Sequence, residues 1–197
     1  MRAYLLIIIL IFNLQSWTKA DDIKDFQIEG MSIGDSALDY FSKNELIEFK
    51  EYYRGTSSKK FYMSSVNSSN FKEYDNIMFH FKENDPSFKI YSISAAIWFS
   101  DLKIKNLDDC IIMRNKIDVE LTQLFKNYTR DEINNKIHEG DVTGKSTTHT
   151  ISYWFENNNH AGVSCYILSE EFGGTNHLKV IVNSNELINW LSDEVYK

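Results

Sequence analysis

The sequence predicts an α+β domain in which an antiparallel sheet, built from two αβββ halves, carries helices on one face and is followed by a C-terminal helix. Six short segments alternate apolar and polar residues, as strands do, and they fall into two groups of three. Short polar turns separate neighbours within each group, which favours antiparallel hairpins. Helix-capping patterns precede each group and follow the second.

The first half opens with two short helices. The turn from Gly30 to Asp35 leads into the first, with Asp35 as its N-cap, and Ser42 with Glu45 three residues later forms a capping box for the second, which runs to about residue 53. Three strands follow at residues 60–66, 76–82 and 88–99.

The second half opens with a long amphipathic helix over residues 106–127, because apolar residues recur there at spacings of three and four. Residues 128–147 are polar and are predicted as a loop with at most one helical turn. A loop of this length tends to be functional, so it is our predicted variable surface. Strands follow at residues 148–156, 162–168 and 177–182, and residues 183–186 cap a terminal helix with an apolar stripe.

The first twenty residues have the pattern of a secretory signal peptide. Arg2 precedes an apolar run over residues 5–14, and Thr18-Lys19-Ala20 offers a cleavage site. The alternative is an uncleaved anchor, but an apolar run of about ten residues is short of the roughly 20 that span a bilayer. We therefore expect a single domain over residues 21–197 that is periplasmic or secreted.

The charge balance excludes some partners. Loss of Arg2 and Lys19 leaves 19 basic against 28 acidic residues, a net charge of 19 − 28 = −9. An acidic protein is not expected to bind nucleic acid or anionic membrane surfaces, because both need clusters of Lys and Arg. No later segment is long and apolar enough to predict stable membrane insertion after signal cleavage. The 14% aromatic and 43% hydrophobic content is typical of a folded domain.

Cys110 and Cys165 are the only cysteines, and an even pair in an exported protein predicts a disulfide. Cys110 lies on the apolar stripe of the long helix. Cys165 alternates with Val163 and Ile167 on the apolar face of a strand. Both thiols are expected to point into one core between helix and sheet, and two buried free thiols are the alternative.

Two groups of residues are candidates for a site. His138, Glu139 and Asp141 have the ligand types of a divalent metal site, and a solvated polar loop is the alternative. The aromatic residues that could line a ligand or partner surface are Tyr91, Trp98, Tyr153 and Trp154. The alternative, which is the more common one for such residues, is a place in the core or in a half-buried sheet. The HExxH signature of zinc enzymes is missing from the sequence, and we predict neither a catalytic set nor a cofactor.

Parts of the chain resemble two known groups of bacterial proteins. Residues 26–40 (FQIEGMSIGDSALDY), the Cys165 strand and the Trp190 helix resemble small exported proteins of marine alphaproteobacteria such as Pelagibacter. That resemblance covers nearly the whole mature chain and implies a periplasmic location without an assigned activity. The Gly30-Met31-Ser32 segment, followed by helices and antiparallel strands, also resembles BamE and the β-lactamase-inhibitor-protein fold, which implies a fold only.

The sequence therefore predicts a non-catalytic periplasmic domain that binds another envelope protein or a small ligand. The binding surface is expected on an exposed sheet face or on residues 128–147. One alternative is a secreted hydrolase or metal-dependent enzyme with an unrecognised site. The other is a purely structural envelope protein.

Overall fold

The computed structural model describes residues 23–54, 56–67, 71–100 and 102–196, so the predicted signal peptide lies outside the described residues. The domain is α+β, as predicted, and is built on one eight-stranded antiparallel sheet. Its strands are β1 (Lys50–Glu51), β2 (Phe61–Val66), β3 (Asn76–Lys82), β4 (Ser92–Trp98), β5 (Tyr128–Ile137), β6 (Thr147–Phe155), β7 (His160–Ile167) and β8 (His177–Asn183). Its α-helices are α1 (Lys43–Glu48), α2 (Leu107–Leu124) and α3 (Asn185–Trp190).

The strand order is β1-β2-β3-β4-β8-β7-β6-β5. Each half of the chain forms a four-stranded meander, and the last strands of the two meanders, β4 and β8, pair antiparallel at the centre of the sheet. The two edges are therefore β1, which has two residues, and β5, which has ten. Within the described part of the chain, no helix is long and apolar enough to cross a bilayer.

The prediction of a loop over residues 128–147 was wrong for its first half, which is strand β5. The strand begins after Asn127, whose φ of 54° makes the turn out of α2. Its inward side chains include Arg130 and Glu132 rather than apolar residues. These charges pair with side chains of α2, so the strand lacks the apolar alternation by which strands are predicted.

The main core contains residues of one sheet face together with Leu46 of α1 and Cys110 and Leu121 of α2. In register across the strands, Phe79, Ile93, Val182 and Ala161 lie on this face, and all are almost fully buried. Cys110 of α2 forms a disulfide with Cys165 of β7, with a Cα–Cα distance of 6.1 Å, and both residues are 0% exposed. The predicted pairing of the two cysteines is therefore confirmed, and it links α2 to the sheet.

The C-terminal helix contacts the opposite face. Ser184 caps α3. Leu187 and Trp190 of this helix pack against Phe61, the first residue of β2, whose side chain points away from the main core. The Trp190 indole Nε1 donates a hydrogen bond of 3.0 Å to Ser58 Oγ. A π-helical turn over Leu191–Val195 continues α3 across this face.

Candidate functional site

Strand β5 is an exposed sheet edge. It pairs with β6 on one side, and no other described strand pairs with its outer side. Every residue from Thr129 to Ile137 is exposed. The register with β6 is regular over residues 128–133 and shifts between Ile133 and Lys136. The regular part therefore presents an open row of backbone donors and acceptors, which is a template for another strand.

Large apolar side chains lie beside this open edge. Ile133 is 50% exposed and Ile137 is 57% exposed. Trp154 of β6, which pairs with Thr129, is 37% exposed and lines a groove of about 310 Å³ with Thr129 and Asn127. The alternation of side chains places Trp154, Thr129 and Ile133 on the same face of the sheet.

The charged residues of β5 on the other face are turned towards α2. The Arg130 guanidinium binds both carboxylate oxygens of Asp118, at 2.9 and 3.0 Å, and also contacts Glu132 at 3.0 Å. Glu132 in turn accepts a bond of 2.9 Å from the buried Arg114. Natural edge strands are protected from added strands by outward or inward charges, among other devices. On β5, the charges of Arg130 and Glu132 are paired with side chains of α2 and with each other. Asp131 is a carboxylate of the regular edge without an ion pair among the described residues.

This ion-pair network also fixes Tyr153. Its hydroxyl donates to the Asp118 carboxylate, and burial, aided by that carboxylate, raises the pKa of Tyr153 to about 12. Burial acts to raise the pKa of Asp118, but the hydrogen bonds from Arg130 and Tyr153 outweigh it and lower that pKa overall. Asp118 is therefore ionised in the folded protein and ties α2 to β5 and β6.

Replacing Asp118 with Asn is expected to lower the free energy of unfolding by about 2 kcal/mol, because it removes charge-assisted bonds to a partly buried guanidinium. Urea unfolding at pH 7 measures the loss. Glu120→Gln, at an exposed position on the same helix, is the control and is expected to change stability little. Equal stability of the two variants would contradict a structural role for this network.

The four aromatic residues predicted for a binding surface do not share one surface. Tyr91 is buried against α3 with Phe61, and Tyr153 is 0% exposed on the core face. Trp98 lies on the other face of β4, where its ring packs edge-on against His177 at 5.3 Å. Trp154 is the only one of the four that is exposed beside β5.

The three predicted metal ligands do not gather around one point. Asp141 is buried and accepts bonds from Thr143 and Ser146, so it organises the turn between β5 and β6 and its pKa is strongly lowered. Glu139 pairs with Lys136 at 2.6 Å, and His138 Nδ1 accepts from Gly140 N. Among the residues that the structure describes, no group of three or more His, Cys, Asp or Glu side chains is placed to hold a metal ion.

Sequence reasoning missed Ile133 and Ile137 as site residues, because each is a single apolar residue in a polar segment. No protein-family model matches the chain, and no curated protein shows a significant similarity to it. A function must therefore be inferred from the chemistry of the site itself.

Proposed function

We propose that the protein is a non-catalytic binding domain that takes up an extended segment of another envelope protein as a ninth strand on β5. The observation that supports it is a free edge, regular over residues 128–133, beside the exposed side chains of Ile133 and Trp154. In this mode of recognition, backbone hydrogen bonds supply affinity and alternate side chains supply specificity.

The spacing along β5 defines the segment that would fit. Thr129, Asp131 and Ile133 point to one face, and the groove beside Trp154 lies next to Thr129. Residues four apart in a strand are about 13 Å apart. A matching segment therefore has apolar residues at two positions four apart, opposite the groove and Ile133, with Lys or Arg between them opposite Asp131.

We also propose that the domain works in the periplasm or is secreted. The Cys110–Cys165 disulfide supports this location, because such bonds form and persist mainly in oxidising compartments. We further infer that the sheet consists of two equivalent halves, each a helix followed by strands. The pairing of the final strands of both meanders, β4 with β8, supports that inference.

Selection from a displayed library of random twelve-residue peptides tests the binding mode. We expect selected peptides to carry the apolar, basic, apolar pattern and to slow hydrogen exchange at the outer amides of β5. Ile133→Lys and Trp154→Ala are each expected to weaken peptide binding at least tenfold, since a Trp at an interface commonly contributes about 2 kcal/mol or more. Fluorescence anisotropy of a labelled peptide measures the change.

The matched control is Ile112→Lys, because Ile112 is exposed on α2, which contributes to the core on the face of the sheet opposite to Ile133. It is expected to leave peptide affinity unchanged. The proposal fails if no peptide is selected, if the selected peptides leave β5 exchange unaltered, or if they bind Ile133→Lys as tightly as the unchanged protein.

A further inference from the structure

A large cavity lies where four segments meet: the N-terminal segment, the β3–β4 connection, the β6–β7 turn and the start of α3. Its volume is about 690 Å³, within the range of roughly 300–1,000 Å³ that small-molecule sites occupy. No residue of β5 lines this cleft. Its lining is polar and rich in side-chain amides, from Gln27, Asn157, Asn159 and Asn185.

Asn159 is the best-fixed of these amides. Its side-chain Oδ1 accepts a bond of 2.7 Å from Asn185 N, and its own backbone N–H donates to Asn157 Oδ1 at 3.1 Å. The residue is only 7% exposed, yet its Nδ2 has no acceptor among the described residues and is not sealed from solvent. A nearly buried amide is therefore held with its two N–H donors available to the cleft.

Two lysines line the cleft, and one of them, Lys24, has an interaction of its own. Lys89 has no carboxylate within ion-pair distance among the described residues, and its Nζ lies 5.4 Å from the centre of the Tyr91 ring. Lys82, on the other hand, is paired with Glu186 at 2.6 Å. One carboxylate oxygen of Asp35 is also engaged, because it accepts a hydrogen bond of 2.8 Å from Ser32 N. The groups left unengaged at the cleft are thus one ammonium, several side-chain amide N–H groups and the second carboxylate oxygen of Asp35.

We propose that this cleft binds a small polar molecule through a carboxylate group, which the Lys89 ammonium and the Asn159 amide would hold together. One available cation, with the Asp35 carboxylate also at the cleft, matches a single carboxylate charge better than the greater charge of a phosphate, which proteins commonly bind with Arg groups. The amides of Gln27, Asn157 and Asn185 offer donors and acceptors for hydroxyl or carbonyl groups on the rest of the molecule.

Nuclear magnetic resonance of the side-chain amides tests this site, with acetate, succinate and gluconate as probes and with inorganic phosphate and sorbitol as comparators. We expect at least one carboxylate to shift the Asn159 side-chain amide signal saturably at millimolar concentration, and sorbitol and phosphate to shift it less. Lys89→Gln is expected to weaken carboxylate binding at least tenfold without lowering the melting temperature.

The control is Lys59→Gln, because Lys59 also lies over a tyrosine ring, with Nζ 5.1 Å from the centre of Tyr52, but does not line the cleft. The Lys59→Gln variant is expected to bind the probes with the same affinity as the unchanged protein. The proposal is overturned if none of the three carboxylates shifts Asn159, if phosphate or sorbitol shifts it equally, or if Lys89→Gln binds as tightly as Lys59→Gln. None of these outcomes bears on peptide binding at β5.

Discussion

Lowering the pH from 6.5 to 4 is expected to reduce the free energy of unfolding by roughly 6 kcal/mol, about 3 kcal/mol from each of two buried histidines. Burial, with Lys179 as a second cause, lowers the pKa of His80 to about 3, and burial lowers the pKa of His160 to about 4. The unfolded chain binds protons at both sites near pH 6.5, and the folded protein does not. The two neutral histidines therefore leave the folded protein at full stability above pH 6.5. The free energy of unfolding then decreases as the pH falls towards their pKa values in the folded protein, about 4 and about 3.

The hydrogen bonds at both histidines explain why protonation is costly. His160 Nδ1 lies 3.0 Å from Asn183 Nδ2, while Asn183 Oδ1 accepts from Ser92 Oγ at 2.6 Å. A proton on His160 Nδ1 would therefore place two donors against each other. His80 Nε2 lies 2.7 Å from the Tyr53 hydroxyl, and no group among the described residues is placed to accept a hydrogen bond from a proton added at its buried Nδ1.

Urea unfolding at several pH values between 6.5 and 4 measures this effect. His80→Gln and His160→Gln each remove one group that takes up a proton on unfolding. Each variant is therefore expected to lower the slope of the free energy of unfolding against pH by about 1.4 kcal/mol per pH unit. Burial also lowers the pKa of His177, so some dependence remains in both variants. A slope unchanged in both variants would show that these two imidazoles do not control acid unfolding.

The strands with an apolar inward face could be predicted from the sequence, because burial imposes a two-residue alternation that the sequence records. The strand predicted at residues 76–82 is β3, and that at 177–182 is β8 with one more residue. The disulfide followed from the same patterns, since Cys110 lies on the inward stripe of α2 and Cys165 on the inward face of β7.

Strand β5 could not be predicted in this way. Its inward side chains, Arg130 and Glu132, are satisfied by Asp118 and Arg114, which lie four residues apart on α2. Such pairing depends on how the helix lies against the sheet, and no local pattern records it. The candidate site was missed for the same reason. Trp154 was predicted as a surface residue, but a free edge beside it exists only once β5 is known to be a strand.

Breaking the Cys110–Cys165 bond is expected to lower the free energy of unfolding by about 4 kcal/mol, because the bond closes a loop of 55 residues in the unfolded chain. Reduced protein, kept under dithiothreitol, retains both sulfur atoms and so measures the cross-link. The double variant Cys110→Ala with Cys165→Ala also loses their packing in a fully buried site and is expected to be less stable still. Equal stability of the oxidised and reduced protein would contradict a stabilising cross-link.

Reduction is also expected to move acid unfolding to higher pH. With both histidines titrating, stability changes by about 2.7 kcal/mol per pH unit, so a loss of about 4 kcal/mol shifts the midpoint upward by about 1.5 units. In the native state both cysteines are 0% exposed, so a reductant should reach the bond only after the fold opens. A phosphine reductant, which acts at acidic pH, should therefore cleave the bond faster as the pH falls from 6.5, and mass spectrometry after thiol alkylation measures the cleaved fraction. Cleavage independent of pH would show that the disulfide becomes accessible without the unfolding that the histidines control.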